Sequence, residues 1–343
     1  MLVGAVNYQV IDCRNIQGGN LCRFFDYETV ISGVTAQGRG MLTQHISTDC
    51  EAVKNCVTAQ GRHKIFSESW IKIQKLWQDV RGVGWAVMPL FKKKPCKRGV
   101  DGAAGAEEKL GSMLAYDGHL KFRAASLIKV PIVAALFYQA QSGGLELEEN
   151  ISIPAEEVVL GGVLSEAGCG RPFTLRELAR LAIVVSDNTA ANLLIKRMGF
   201  VYINRFIQEI MQAEQTELHR YFMHSPEHEG ENYTTPCDCL AILAGLWRED
   251  ILKGALKREF WDILSRQQFI EKLPSHLLNK AKTYNKTGEL DDGARHDMAV
   301  IETPQGSWAV VVLTDQQIYP GWEIDDKMAN FSELFYQIFE AKA

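Results

Sequence analysis

The sequence predicts an α+β fold, with an antiparallel sheet flanked by helices and an all-helical block inserted into it. Two observations support this prediction. Short strand-like segments rich in apolar residues lie both before residue 117 and after residue 281. Between them, segments with helical periodicity follow one another, and one more helical segment closes the chain. The chain is therefore expected to leave the sheet, form the helices and return.

The sheet region is predicted to begin with a helix and two strands. From Phe66 the apolar residues recur at helical spacing, on a face expected to contain Ile71, Ile73, Leu76, Trp77 and Val80. Residues 82–90 are typical of a strand, and Pro89 is expected to bring it to an end. A second strand is predicted at residues 112–116, because the next two residues, Asp-Gly, supply a turn signal.

Helices are predicted through the central part of the chain. The first covers residues 126–141, and Pro131 suits its first turn, where amide hydrogens have no partner within the helix. Thr174 and Glu177 form a capping box for a helix that runs to Val185. Further helices are expected at residues 189–198, 201–213, 237–248 and 254–267.

Three strands and a helix complete the predicted fold. The strands are expected at residues 282–288, 295–302 and 307–314, and the last is rich in β-branched residues. Residues 328–343 carry aromatic and aliphatic side chains at helical spacing. The chain should therefore end on a helix that covers the sheet.

This order of elements predicts two domains and an appendage. Residues 65–124 together with 269–343 are expected to form a sheet domain, and residues 125–268 a helical domain. An active site is expected in the cleft between them. Residues 1–64 show neither helical nor strand periodicity and are treated as an N-terminal appendage of unknown structure.

Charge and hydropathy exclude several classes of partner. The net charge of −5 gives no case for nucleic acid, and the basic run at residues 92–98 is interpreted as a solvated loop. No stretch approaches the roughly 20 apolar residues of a membrane span. Residues 1–6 lack a basic region, so no signal peptide is predicted and the cellular location stays open. We expect a monomer.

The eight cysteines show no CxxC pair. A zinc site could be imagined from the N-terminal cysteines at positions 13, 22, 50 and 56 with His45, but their spacing does not match the common zinc ribbons. Unpaired structural thiols are the favoured interpretation. Neither a metal nor a cofactor is predicted.

A serine and a lysine three residues apart occur twice in the sequence. Ser69 and Lys72 lie on an ordinary amphipathic helix, whereas Ser126 and Lys129 open an apolar run that should bury the lysine. A buried lysine loses its preference for the charged form and can act as a base toward a neighbouring hydroxyl. The composition alone would produce about one such pair by chance, so this pattern needs partners.

Two further motifs supply those partners. Ser186-Asp-Asn188 lies between two predicted helices, and Lys286-Thr-Gly288 opens a predicted strand. This set of three motifs, in this order, resembles class A serine β-lactamases and the related penicillin-recognising enzymes. The segments that begin at Arg171 and Asn232 are also similar to that family, and the resemblance covers roughly residues 66–343.

The resemblance implies roles for the catalytic groups. Ser126 would attack an amide or ester carbonyl, and Lys129 would take its proton directly or through a water. The backbone N–H groups of Ser126 and Glu289 would stabilise the oxyanion. Ser186 would pass a proton to the leaving nitrogen. Asp187, in contrast, is interpreted as a structural residue.

The resemblance also implies how a small-molecule β-lactam or a peptide-like substrate would bind. Asn188 would hydrogen-bond the amide side chain of the substrate. Lys286 and Thr287 would bind its carboxylate, with added positive potential from Arg295. Gly288 would let the ligand lie against the strand like an added β-strand.

One departure from the family concerns the removal of the acyl group. Class A β-lactamases use a loop glutamate, shortly after an arginine, to activate the hydrolytic water. Alignment through Arg220 places Phe222 at that position. The nearby acidic residues Glu227, Glu229 and Glu231, and also His224, are out of register. Acylation is therefore expected, whereas fast deacylation is in doubt.

Four interpretations follow from these residues. The first is a class A β-lactamase-like serine hydrolase that opens a β-lactam ring through an acyl-enzyme on Ser126. The second is a penicillin-binding, DD-peptidase-like or esterase-like relative that deacylates slowly. The third is a sensor that uses the acyl-serine as a signal, and the fourth is an inactive scaffold.

Overall fold

The central feature of the fold is a six-stranded antiparallel sheet, seen in a computed structural model. The structure describes residues 9–11, 69, 71–90, 113–167, 170–225, 227, 230–248, 251–315 and 317–340. The strands are β1 (Gln9–Ile11), β2 (Val83–Leu90), β3 (Met113–Tyr116), β8 (Lys282–Glu289), β9 (Arg295–Thr303) and β10 (Gly306–Thr314). Their order across the sheet is β1-β3-β2-β10-β9-β8, which leaves β8 at one edge.

Two short two-stranded ladders lie outside this sheet. β4 (Phe122–Arg123) pairs with β7 (Tyr233–Thr234), and β5 (Asn150–Ile151) pairs with β6 (Phe173–Thr174). The helices are α1 (71–77), α2 (Lys129–Gln141), α3 (Leu164–Ala167), α4 (Leu175–Val184), α5 (Asn188–Met198), α6 (Phe200–Arg205), α7 (Pro236–Trp247), α8 (Gly254–Leu264) and α9 (Gly321–Glu340). Within the described ranges, none of them combines the length and apolar character needed to cross a membrane.

Strand alternation gives the sheet two buried faces. In β10, Val310 and Val312 pack with α1 and α9, on the face that also buries Phe331. Val311 and Leu313 point to the opposite face, where the central helices pack. Because both faces are covered, β10 reads as an uninterrupted apolar run rather than an alternating one.

The predicted α+β class, with helices on both sides of an antiparallel sheet, is confirmed. The capping box is also present: the Thr174 hydroxyl accepts from the backbone N–H of Glu177, and the Glu177 carboxylate accepts from that of Thr174. The division into a sheet domain and a helical domain stays a prediction. The N-terminal cysteines and His45, which were considered as a zinc site and not favoured, lie outside the described residues, as does the basic run at residues 92–98.

Three of the differences from the sequence predictions concern the sheet and the helices that cover its outer face. Ile71 is 47% exposed, so its place on the buried face was wrong; two residues along a helix are about 200° apart, so it cannot share a face with Ile73. The last helix begins at Gly321, seven residues early, where Asp325 pairs with Arg295 of β9. Of the predicted appendage, Gln9–Ile11 pairs with β3 at the far edge of the sheet.

Candidate active site

Ser126 lies in a tight turn immediately before the most buried helix. Residues Ala125–Ile128 form a 3₁₀ turn, and α2 starts at Lys129. Residues three apart eclipse one another in such a turn, so Ser126 and Lys129 face the same way. Ala125 enters the turn with φ of 45°, a conformation that costs energy for a residue with a Cβ. Ser126 itself is half-buried and reachable from solvent.

The Lys129 side chain is fully buried, and its amine lies against the second motif. Its Nζ donates to the backbone oxygen of Ser186 at 2.6 Å and to Asn188 Oδ1 at 2.7 Å. It also lies 3.2 Å from Ser186 Oγ. The helix that begins at Lys129 therefore holds the amine at the junction between α4 and α5, where the sequence placed Ser186 and Asn188.

Ser186 is held in this junction by the turn around it. Its φ is 55°, and both its carbonyl and its hydroxyl face Lys129 Nζ. Asp187 caps α5: Oδ1 accepts from the N–H of Ala190 and Oδ2 from that of Leu164, both at 2.8 Å. These two bonds agree with the structural role predicted for Asp187.

A glycine pair lets a neighbouring loop lie directly on this motif. Asn188 Nδ2 donates to the carbonyl of Leu160 at 2.8 Å. A Cβ added to Gly161 would lie 2.5 Å from Asn188 Nδ2, and one added to Gly162 would lie 2.3 Å from Asp187 Oδ2. Both glycines also have positive φ, so they are required here for conformation and for space. The sequence analysis missed this wall of the site.

Lys286 reaches the same serine from the edge strand β8. Its buried Nζ donates to Ser186 Oγ at 3.0 Å and to the carbonyl of Thr287 at 2.7 Å. The hydroxyl of Ser186 is thus within hydrogen-bond distance of two lysines from different elements. That arrangement is suited to moving a proton, because each amine can donate or accept it through the hydroxyl.

Gly288 brings β8 against the Ser126 turn. A Cβ at this position would lie 3.2 Å from Ala125 Cβ and 3.3 Å from the backbone nitrogen of Ser126. The strand can approach this closely because the residue is glycine. The three sequence motifs, at Ser126, Ser186 and Lys286, are therefore brought together in one site.

The two lysines have pKa values far below that of a lysine in water. Burial, and secondarily the charge of Lys286, lower the pKa of Lys129 well below its usual range, while Asp187 acts in the opposite direction. Burial lowers the pKa of Lys286 to about 7, against the opposing effect of Asp297. A neutral amine next to a hydroxyl is the form that a general base requires.

These pKa values predict that the protein becomes more stable as the pH rises from about 7 to about 10. In that window the unfolded chain, whose lysines titrate near 10.5, binds more protons than the native state, so raising the pH favours folding. Each fully linked lysine contributes at most about 1.4 kcal/mol per pH unit. Urea unfolding at several pH values measures the slope.

The Lys286→Met variant is the control for this pH dependence. It should show a smaller slope than the wild type, because of the two lysines only Lys129 then still contributes to the rise. Equal slopes in the two proteins, or a stability that falls over this window, would contradict the assignment of lowered lysine pKa values.

Glu289 and Arg295 are engaged in ion pairs next to the site. Arg295 contacts Asp325 through two hydrogen bonds of 2.7 and 2.5 Å, and its Nη2 is 3.0 Å from Glu289 Oε1. Glu289 also accepts from the buried Lys272 at 2.5 Å. The positive potential predicted for Arg295 is therefore largely balanced by its own neighbours.

Phe222 lies over the amine of Lys129. Its N–H donates to Asn192 Oδ1 at 2.8 Å, and its carbonyl accepts from Asn192 Nδ2 at 3.0 Å. These bonds fix the backbone, and the ring lies with its centroid 4.4 Å from Lys129 Nζ, with only 7% of the residue exposed. An aromatic face thus covers the amine.

The acidic residues of the same loop are placed elsewhere or are not described. Glu231 forms a bidentate pair with Arg220, at 2.9 and 3.1 Å. Glu227 is exposed, and Glu229 lies outside the described residues. Among the described residues, the hydrogen bonds of Lys129 go to Ser186 and Asn188, and none goes to a carboxylate.

Comparison with known proteins agrees with this geometry. The model of the beta-lactamase enzyme family matches residues 104–339, which is more than half of the chain. The chain belongs to the beta-lactamase enzyme family. The resemblance drawn from the three motifs is thereby confirmed.

Relatives within the beta-lactamase family are distant. Beta-lactamase FAR-1 of Nocardia farcinica is 24% identical over 226 residues, which cover 64% of this chain and 71% of the relative. Beta-lactamase L2 of Stenotrophomonas maltophilia is 25% identical over 225 residues, with 63% and 73% covered. The solved class A beta-lactamase of the last common ancestor of Gram-negative bacteria has a TM-score of 0.68 at 25% identity, with 79% and 99% covered.

A beta-lactamase from Sphaerobacter thermophilus supports the fold alone. It has a TM-score of 0.68 at 24% identity, covering 80% of this chain and 97% of that chain. The three-dimensional likeness to these beta-lactamases thus spans most of the chain, although about three residues in four differ. Residue roles therefore have to be argued from the site itself.

Sequence reasoning missed several residues of this candidate site. Asp297 is fully buried behind Lys286, where burial raises its pKa to about 7 and Asn285 donates to it at 3.2 Å. Asn192 positions Phe222, and Lys272 lies buried among carboxylates. A carboxylate directly before the apolar run of a strand, as Asp297 is in β9, was the available signal. Within the described ranges, no group of three His, Cys, Asp or Glu side chains could hold a metal.

Proposed function

We propose that this chain is a serine β-lactam-acylating enzyme that forms an acyl-enzyme on Ser126 and deacylates slowly. Its substrate would be a small-molecule β-lactam or a peptide-like amide, taken by the monomer. The observation that carries the proposal is the position of Ser186 Oγ, within 3.2 Å of Lys129 Nζ and 3.0 Å of Lys286 Nζ, beside the Ser126 turn.

Acylation would proceed in two stages, addition to the carbonyl carbon and expulsion of the nitrogen. Neutral Lys129 removes the Ser126 hydroxyl proton, directly or through a water, as Oγ bonds to the carbonyl carbon. The N–H groups of Ser126 and Glu289 stabilise the oxyanion, next to the close approach at Gly288. The C–N bond then breaks, and the leaving nitrogen takes a proton from the hydroxyl of Ser186. Lys129 returns to Ser186 the proton that it removed from Ser126, which leaves both groups as they began.

Substrate binding would use both sides of the cleft. Asn188 Nδ2 donates one of its two hydrogens to the carbonyl of Leu160. The second hydrogen can be donated to an amide carbonyl of the substrate. β8 is an edge strand, so an extended substrate can add to it as another strand. Lys286 and Thr287 would face the substituent that the leaving nitrogen carries on the side away from the acyl group.

Slow deacylation is supported by Phe222. The ring stands over Lys129 where the family resemblance calls for a glutamate, and an aromatic side chain can neither hold a water for attack nor accept its proton. The ester on Ser126 would therefore persist. Such behaviour is that of a penicillin-binding protein or a sensor rather than of a fast hydrolase.

Intact mass spectrometry with a fluorescent penicillin and a chromogenic cephalosporin tests the proposal. We expect a mass shift equal to the whole β-lactam, persisting while the colour change stays slow. The absence of any adduct would exclude serine acylation. A transient adduct with sustained colour change would instead identify a fast β-lactamase and would contradict the proposed role of Phe222.

The Ser126→Ala variant should form no adduct, because the nucleophilic oxygen is gone. Ser69→Ala is its matched control, since it removes the serine of the other serine–lysine pair. Ser69 is 3% exposed and lies on the helical segment beside the sheet. That control should acylate at the wild-type rate. Acylation that survives Ser126→Ala would show that another residue is the nucleophile.

A further inference from the structure

A fully buried histidine lies beside the contact between β8 and the Ser126 turn. His296 of β9 stands directly opposite Gly288 in the β8–β9 ladder and is 1% exposed. A Cβ added to Gly288 would lie 3.3 Å from the backbone nitrogen of Ser126 and 3.4 Å from His296 Cδ2. The imidazole and the Ser126 turn therefore meet the same point of the edge strand.

Both ring nitrogens of His296 are engaged with backbone groups. Nε2 lies 2.9 Å from the carbonyl oxygen of Arg123, and Nδ1 lies 3.2 Å from the backbone nitrogen of Thr314. A carbonyl can only accept and an N–H can only donate, so these partners require a neutral ring with its proton on Nε2. Burial, which lowers the pKa of His296 to about 4, favours the same neutral form.

The Nε2 bond ties the chain just before Ser126 to the six-stranded sheet. Arg123 belongs to β4, and Ala125 follows with its φ of 45°. A residue in such a sparsely populated conformation keeps it only where the surrounding structure fixes it. The bond from His296 fixes the carbonyl two residues before Ala125, from the side of β9.

The side chain of Arg123 provides a second, weaker link to the sheet. Its guanidinium pairs with Asp292 at 2.6 Å and with Asp315 at 2.9 Å. All three side chains are partly exposed, and exposed ion pairs contribute little to holding a structure in place. The hydrogen bond from His296 is shielded from water and is therefore the stronger link.

This link bears on the two expected oxyanion donors, which come from different elements. The N–H of Ser126 belongs to the turn, and the N–H of Glu289 belongs to β8. His296 is bonded to the segment that leads into the turn and pairs with β8 in the ladder, so it relates the positions of both donors. A displacement of about 1 Å in an active site can lower the rate about 10²-fold.

We propose that His296 is a positioning residue for acylation, whose Nε2–H holds the Arg123 carbonyl and thereby sets the Ser126 turn against Gly288. It acts through the turn and not by contact with the substrate. This inference rests on the proposed acylation of Ser126 and names a residue on which the geometry of its oxyanion site depends.

The test compares His296→Gln with His296→Asn. Glutamine can place an amide N–H near the position of the imidazole Nε2, whereas asparagine is too short to reach the Arg123 carbonyl and can replace only the acceptor at Nδ1. The rate of adduct formation is measured by intact mass at increasing concentrations of a penicillin. These rates give a limiting rate and a half-saturating concentration for each protein.

The limiting rate of the Asn variant should fall about tenfold, less than for a full 1 Å displacement, because β7 still pairs with β4. Its half-saturating concentration should stay within about threefold of the wild type, as expected when the lost interaction serves the transition state alone. The Gln variant keeps the donor, so its limiting rate should stay within about threefold of the wild type.

Tyr284→Phe is the matched control. It removes a hydrogen bond of 2.7 Å between the same two strands, from the Tyr284 hydroxyl to the Glu302 carboxylate, toward the opposite end of the ladder from Gly288. A cross-strand bond is thus lost without any change to the link between His296 and Arg123. This variant should keep the limiting rate and the half-saturating concentration of the wild type.

Equal limiting rates in the Gln and Asn variants would overturn the inference, because a packing role does not depend on the donor. A loss that appears only in the half-saturating concentration, or that Tyr284→Phe reproduces, would also overturn it. Thermal unfolding reports whether each variant is folded. If the Asn variant is not, a folded Gln variant with the low rate expected of Asn would still overturn the inference. No adduct with the wild type would instead overturn the proposed acylation itself.

Discussion

Replacing Phe222 by glutamate is expected to raise the rate of deacylation about 10²-fold, the usual contribution of a positioned general base. The backbone of residue 222 is fixed by Asn192, so the new carboxylate would project to the place now held by the aromatic ring. That ring is centred 4.4 Å from Lys129 Nζ. The glutamate would therefore lie beside the amine, with room for a water where the ring had been.

The buried carboxylate should be tolerated because a cation is within reach. An unpaired charge at a site with 7% exposure would be costly, but Lys129, once protonated beside the new carboxylate, supplies a cationic partner. The pairing would also raise the pKa of Lys129, so acylation should slow somewhat while deacylation accelerates. The measurement is the decay of the penicillin adduct by intact mass, together with steady-state turnover of the cephalosporin.

Phe222→Gln is the control that separates base catalysis from water access. Glutamine matches glutamate in size and polarity and opens the same space, but it cannot accept the proton of the attacking water. Removal of the aromatic ring takes away only a steric barrier to water. The adduct of this variant should therefore decay at most a few times faster than that of the wild type. If the adducts of the Gln and Glu variants decay equally fast, Phe222 slows deacylation by excluding water and not by taking the place of a base.

Most of the fold could be predicted from the sequence because local signals and tertiary structure agree. The capping box at Thr174 and the β-branched run of β10 each specify one kind of element, and both occur where the sequence placed them. The start of α9 was not readable, because residues 321–327 are held by long-range contacts. Asp325 pairs with Arg295, and Lys327 donates to the carbonyl of Leu76, 251 residues away.

The candidate site was readable only as a set of motifs. Ser126 looked no better than Ser69 until Ser186 and Lys286 were considered, and their hydrogen bonds cross 57 and 100 residues of sequence. The network behind them escaped prediction, since Asp297, Asn285 and Lys272 follow no spacing rule. Their proximity depends on the register of β8 and β9 and on the turn that places Lys272 beside the strand end.

Lys129→Met is expected to lower the rate of acylation about 10³-fold, within the range for loss of a general base. Methionine fills a similar volume and adds no charge to a fully buried position, so the protein should remain folded. The variant also deprives the Ser186 carbonyl and Asn188 Oδ1 of their donor. A fall in rate therefore combines the loss of a base with some loss of positioning.

Lys129→Arg distinguishes those two contributions. A guanidinium can still donate to Ser186 and Asn188, but it does not lose its proton in proteins. If Lys129 acts as a base, the Arg variant should be impaired as strongly as the Met variant. If Lys129 only holds Ser186 and Asn188 in position, the Arg variant should recover much of the rate. The Lys72→Met variant changes the exposed lysine of the Ser69–Lys72 pair and should acylate at the wild-type rate.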